Sequence, residues 1–221
     1  FNGFGYEALP HAQGEIQAAI SDVCLSLKSE DWFALEEPIV RTISVEFPAA
    51  IRKQYRELER ALYTEVQSHP IEAFNAGAKT AKLRQFCSGA VYLGSADDPG
   101  VRRWIPVHDA KIEALEEIVE ETCGAPIIVS YHFKSDLERI MKHFPKARAL
   151  DQKSSTIKDW NEGKIRMLCA HPASAGHGLS LQKGGNILVY YSMDFNAENH
   201  QQIAERIGPV RQAQSGFTRN V

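Results

Sequence analysis

Two stretches of the sequence carry residue types that can grip an anion. The first is Pro172-Ala173-Ser174-Ala175-Gly176-His177-Gly178-Leu179-Ser180-Leu181. Its small side chains and the glycines Gly176 and Gly178 let backbone come close to a ligand and aim N–H groups at it. A tight strand-to-helix turn uses similar residues, so the loop alone fits either role. The second stretch runs from Gln201 to Gln214. There Ile203 and Ile207 fall on one helical face, while Gln202 and Arg206 share another at i,i+4. Arg211 follows beyond Gly208-Pro209. Arginines suit phosphate recognition because guanidinium donates through a planar fork, although a solvated helix end carries similar charges.

Other chemistries find less support. A phosphate-binding P-loop needs G-x-x-x-x-G-K-[ST]. The nearest string, Ala76-Gly77-Ala78-Lys79-Thr80, has Ala78 between Gly and Lys and falls in an expected helix, so it reads as a decoy. No Asp-Glu-x-His string is present to hold magnesium and position water. The chain by itself is therefore not expected to build a complete ATPase site. His171 and His177 flank the glycine loop, but no third ligand or H-E-x-x-H helix accompanies them, so no metal site is expected. Asp194, Glu198 and Glu205 form no evident acid/base pair. Cys24, Cys87, Cys123 and Cys169 form no C-x-x-C pair and read as small reduced core residues.

The elements that must position these residues divide the chain at about His108. Residues 108–221 alternate helices with short apolar strands. Lys111–Thr122 reads as a helix stopped by Gly124. The strand Pro126–Ser130 precedes a helix carrying Leu137, Ile140, Met141 and Phe144. Ala147–Leu150 is a candidate short strand, and a helix with Ile157 and Trp160 closes at Gly163. The strands Ile165–Ala170 and Ile187–Tyr191 follow, then a helix from Ala197 to Ile207. Near-continuous apolar strands separated by single helices predict a parallel sheet covered on both faces, with ligands at the strands' carboxyl ends. Residues 1–107 read as mixed and mostly helical. Thr42–Phe47 alternates like a half-buried strand, Ile51 to Val66 has helical spacing, and a second helix is expected from Ile71 to Phe86. Gly94–Gly100 has turn chemistry.

Composition frames this reading. The 221 residues are 43% hydrophobic and 24% charged, as expected of a globular protein, and no apolar run approaches the ~18 residues of a membrane helix. The start at Phe1, without a basic segment and apolar stretch behind it, reads as an internal fragment lacking a signal peptide, and the expected location is cytoplasmic. A formal net charge of −3 gives no global attraction to nucleic acid, so any binding must come from a local surface and should weaken with salt.

Order and spacing from Lys111 onward resemble the second RecA-like lobe of superfamily-2 helicases, and most closely the Swi/Snf-related branch with its bacterial and phage members. Ile127–Phe133 resembles motif IV, Cys169–Gln182 motif V, Gln202–Gln214 motif VI, and Tyr191–Asn196 the segment between, which in the family carries an Asp and an Asn. Before the lobe, Ser44–Pro48 looks like the family's inter-lobe linker and Leu83–Gly89 like the helix preceding the second lobe. Ala175 replaces the first of motif V's paired glycines. Arg206 and Arg211 have four residues between them, where the family has two between its arginines. Arg211-Gln212-Ala213-Gln214 best matches the family's final Arg-x-Gly-Gln.

The resemblance implies the C-terminal lobe of an ATP-dependent DNA translocase. ATP and magnesium would be held mainly by a first lobe in the same parent chain. Arg206 or Arg211 would act as the arginine finger, Gly176, Gly178 and Gln202 would face the nucleotide, and Ser130, His132 and Ser174 would touch the backbone of duplex DNA. Residues 1–107 would be linker and tail of the first lobe, and 108–221 the lobe proper. Two rival readings stay open. One is the nucleotide-sugar-binding lobe of a two-lobed glycosyltransferase, whose glycine loop also cradles a diphosphate. The other is a non-catalytic module that only docks DNA or partners.

Overall fold

Ile127-Ile128-Val129-Ser130 is buried at every position, a demand made of a strand only when both faces of its sheet are covered. The computed structural model describes residues 11–20, 23, 38–73, 75–93, 103–151, 153–175, 179–208 and 218–220. Its elements run α1 (Ala12–Ile20), β1 (Ile39–Arg41), α2 (Ala49–Ala61), β2 (Tyr63–Val66), β3 (His69–Glu72), α3 (Ala76–Ser88), β4 (Ala90–Tyr92), β5 (Trp104–Pro106), α4 (Ala110–Glu121), β6 (Ile127–Ser130), α5 (Lys134–His143), β7 (Arg148–Ala149), α6 (Ser154–Asn161), β8 (Met167–Ala170), α7 (Pro172–Ala175), β9 (Ile187–Tyr190), α8 (Ala197–Glu205) and β10 (Thr218–Asn220). The chain divides into two compact units, residues 1–35 and 36–221. In the first, the described structure is α1, exposed from Gly14 to Ile20.

The second unit is built on a parallel six-stranded sheet in the order β1-β10-β9-β6-β8-β7. Strand side chains alternate between faces, so each strand feeds two cores. Ile128, Leu168, Ala170, Leu188 and Tyr190 pack beneath Trp160 of α6 and Ile203 and Ala204 of α8. Ile127, Val129, Met167, Cys169 and Val189 pack on the other face against Ile112, Leu115 and Ile118 of α4 and Ile140 of α5. This is the RecA-like α/β arrangement, with helices on both faces. A smaller third cluster sits upstream, where Leu58 of α2, Val66 of β2, Ile71 of β3, Phe86 of α3, Val91 of β4 and Ile105 of β5 close on one another.

Several local expectations need correction. Residues 42–47 keep their alternation, with Ile43, Val45 and Phe47 half-buried, yet form no ladder; the strand is Ile39–Arg41, just upstream. The helix beginning near Ile51 ends at Ala61, because Leu62 turns left-handed at φ 58°, and Val66 belongs to the hairpin β2–β3. Ile71 likewise lies in β3, and the second helix starts only at Ala76. That helix contains the Ala76–Thr80 string, which is thus no phosphate loop. Gly94–Gly100 lies outside the described residues. Of the cysteines, Cys169 is buried, with its thiol pushed up to about 12 by burial; Cys87 is half-buried and Cys123 exposed. No helix among the described residues is long and apolar enough to cross a membrane.

The turn into β9 is held by close packing. A Cβ on Gly184 would lie 2.3 Å from Nε1 and 2.5 Å from Cδ1 and Cε2 of Trp160. That indole is fully buried and donates to the Leu181 carbonyl at 2.9 Å. Gly184→Ala must therefore displace the largest side chain of this core and lengthen its hydrogen bond. The expected loss is about 2–4 kcal/mol in urea unfolding. Gly124→Ala, at φ 79° with nothing within 4 Å, should lose only about 1 kcal/mol through backbone strain. Equal losses at the two glycines would refute the packing account.

Candidate functional site

The connections leaving the sheet define where a crevice must open. After β6 the chain passes into α5, whose Ile140 packs on one face; after β9 it passes into α8, whose Ile203 packs on the other. Strands β6 and β9 are neighbours, so their carboxyl ends part at a topological switch point, where open α/β sheets bind ligands.

A chain of short hydrogen bonds staples the two departing loops. The Ser192 hydroxyl donates to Asp136 Oδ2 at 2.5 Å and accepts the His132 N–H at 2.7 Å; the Phe133 N–H reaches the same carboxylate oxygen at 3.1 Å. Asp136 is fully buried on α5, and burial raises its pKa against these donors and the nearby charges of Lys111 and Arg139. Lys111, whose amine donates to the Tyr191 carbonyl at 2.7 Å, has its own pKa lowered by burial.

Above this staple, two histidines flank Asp194 and a third packs against one of them. The imidazole of His200, on α8, lies 2.9 Å from Asp194 Oδ1, and His132 Nδ1 lies 3.9 Å from Oδ2. His171, following β8, stacks near His132 with ring centroids 5.8 Å apart and planes tilted by 31°. Burial would raise the Asp194 pKa, but hydrogen bonds from the Asn196 N–H and Asn199 amide, with the histidines, bring it below the ordinary value. His132 is lowered, chiefly by burial and then by the cation of Arg84. Arg84, on α3, donates to the Met193 carbonyl and lies over the ring of Phe195 at 4.6 Å. Phe195 is 80% exposed, an unusual position for a large apolar ring.

The structure brings together some of the residues singled out from sequence. His132 lies at the switch point, half-buried, and Ser174 on α7 is also half-buried. Ser130 ends β6 but is fully buried, with its carbonyl receiving the Tyr191 and Ser192 N–H groups, so its hydroxyl lies too deep here to touch a strand directly. Gln202 donates to Glu198 at 2.9 Å on the outer side of α8, and Arg206 caps that helix, half-buried. Gly176, Gly178 and Arg211 lie outside the described residues. Arg84, His171, Asp194 and His200 were not singled out as site residues, because only the tertiary fold assembles them. Met193 and Arg84, for example, are 109 residues apart.

No protein-family model matches the chain. A curated protein described as putative protein p41 of Acyrthosiphon pisum secondary endosymbiont phage 1 is 53% identical over 216 residues. The match covers 98% of this chain and 46% of that protein, so the chain spans about half the length of this relative. Among solved structures, the C-terminal part of the Fun30 ATPase domain is similar in fold, with a TM-score of 0.52 at 13% identity, covering 84% of this chain and 85% of that one.

Proposed function

We propose that this chain is the second lobe of a Swi/Snf-related, superfamily-2 DNA translocase of bacterial or phage type. The observation that carries the reading is the switch point itself. The motif IV and Tyr191–Asn196 segments, 60 residues apart at His132 and Ser192, are joined there by a direct hydrogen bond. The similarity in fold to the C-terminal part of an ATPase domain supports the same reading.

Residues 108–221 would then be the lobe proper and 1–107 linker and tail of a first lobe. That first lobe would hold ATP and magnesium, since this chain lacks a P-loop and an Asp-Glu-x-His string. Gly176, Gly178 and Gln202 would face the nucleotide, with Arg206 or Arg211 reaching its phosphates. His132 and Ser174 would contact the backbone of duplex DNA, with Ser130 supporting them from below through its carbonyl. Such contacts position a strand without reading its sequence. Cycles of lobe closure would step the protein along the duplex.

The test is ATP turnover by the full-length protein with and without duplex DNA. Hydrolysis stimulated by DNA, and weakened by added salt, is expected. Turnover indifferent to DNA, or binding of nucleotide-sugars in place of ATP, would overturn the reading.

A further inference from the structure

We propose that the outer face of α2 is a docking surface for the phosphate backbone of duplex DNA, built in the upstream cluster and apart from the loops of the parallel sheet. The inference rests on the translocase reading above and adds to it a surface that none of the recognised motifs contains.

The helix turns Ile51, Tyr55 and Leu58 into the upstream cluster, with Leu58 fully buried. On its other side Arg52, Arg56 and Arg60 succeed one another at i,i+4, so each stands about 6 Å along the axis from the next. All three are exposed, as is Lys53 beside them. Arg56 and Arg60 make no hydrogen bond or ion pair among the described residues. Arg52 reaches Glu46 at 3.4 Å and Lys53 reaches Glu57 at 3.9 Å. Pairs this open contribute little, so a phosphate can displace them. The row borders a hollow of about 620 Å³ that Phe47 and Ala49 also line, which gives a strand a concave seat.

Two features set the row apart from a merely solvated face. Like charges at i,i+4 destabilise a helix, and the helix dipole favours Arg60 in the last turn but not Arg52 in the first. Folding alone therefore gains nothing from placing three arginines here. The partner is a polyanion and not a protein surface, because protein interfaces centre on buried aromatic or aliphatic anchors. Among the described residues, α2 exposes no large apolar side chain. Guanidinium forks match phosphate oxygens, and forks one helical turn apart can each take a separate phosphate of one strand. The acids gather elsewhere, with Glu113, Glu116, Glu117, Glu120 and Glu121 on α4, so a chain of net charge −3 still presents a basic face.

The experiment titrates the full-length protein with duplex DNA from about 50 to 200 mM salt and reads the slope of log affinity against log salt, to which each phosphate contact contributes about 0.9. Arg56→Gln/Arg60→Gln should lower that slope by about 2 and weaken binding roughly 10-fold to 100-fold at the low-salt end. Arg56→Lys/Arg60→Lys should restore the slope while binding more weakly than wild type, since an ammonium keeps the charge and loses the fork. Arg148→Gln/Lys158→Gln removes two exposed cations paired with Asp159 and Glu162 and should leave the slope unchanged. A wild-type slope in the Gln pair, or a slope that the Lys pair does not restore, overturns the surface and leaves DNA-dependent turnover standing. An equal fall in the Arg148/Lys158 pair does the same, because the effect would then be one of net charge. Failure of the wild type to bind duplex DNA at all overturns both the surface and the translocase reading.

Discussion

Arg139→Ala should destabilise the protein by about 3–5 kcal/mol, more than any loss of an exposed ion pair could explain. The side chain, on α5, is only 6% exposed, and its guanidinium donates to the Ser88 carbonyl at 2.6 Å, the His108 carbonyl at 2.5 Å and Asp109 Oδ1 at 2.8 Å. Asp109 is 69% exposed, so the salt bridge itself contributes little. The cost lies in the two carbonyls, which close α3 and follow β5 and which lose a charged donor on truncation. The bond to Ser88 ties the small upstream cluster to the parallel-sheet lobe, and those to His108 and Asp109 hold the start of α4 beside it. Gly89 shows how tight the joint is. It sits at φ 88°, and a Cβ there would lie 2.3 Å from the His108 carbonyl oxygen and 2.6 and 2.8 Å from the Arg139 guanidinium nitrogens. Gly89→Ala should thus be severely destabilising too, and the double variant less so than the sum, since removing Arg139 relieves two of the three clashes. Denaturant unfolding of the two single variants and the double variant decides the matter. Strict additivity would mean that the guanidinium and the glycine do not share the joint.

This joint could not be read from the sequence, whereas the sheet could. Ile127–Ser130, Met167–Ala170 and Ile187–Tyr190 announce themselves as apolar runs because both their faces are covered. The helices between them keep an apolar stripe for the same reason. The hairpin β2–β3 stayed hidden because its turn residues, Gln67 and Ser68, adopt φ of 48° and 62° without the Gly or Asn that usually marks such a turn. Val66 also falls in phase with the preceding helix, so the spacing ran on past the true end. Of the two edge strands, β7 falls within the expected Ala147–Leu150, whereas β1 gave no local signal, since Ile39 finds its partner at Thr218.

The site was legible in part and for a different reason. His132 and the loops of motifs IV to VI are contiguous strings, so their order could be matched to a family. The staple Asp136–Ser192–His132 and the grouping of Asp194 with His132 and His200 depend on which strands are neighbours. That follows from β9 pairing with β6 rather than with β8, a choice made by packing over the whole sheet.

Arg211→Ala in the full-length protein should lower DNA-stimulated ATP turnover by roughly 10³-fold or more, about 4 kcal/mol of transition-state stabilisation, with a far smaller change in KM for ATP. A finger acts on charge that develops as the γ-phosphoryl group transfers, so its loss falls on kcat more than on binding. The two candidate arginines differ in their place in the sequence, and the structure describes Arg206 alone. Arg206 caps α8, half-buried, between Ile203 and Ile207, which are both fully buried. It is placed to brace the helix. Arg211 lies beyond Pro209, which cannot extend the helix, and within the string that best matches the family's closing motif. Arg206→Ala is expected to lower turnover less and to reduce thermal stability measurably, whereas Arg211→Ala should leave the melting temperature unchanged. Arg211→Lys should recover little, because an ammonium cannot reproduce the planar two-pronged donor. If Arg206→Ala alone abolishes turnover while the fold survives, the finger is Arg206 and the longer spacing is an insertion behind it. If neither substitution alters kcat, this lobe does not reach the nucleotide, and the proposed coupling between ATP and DNA fails with it.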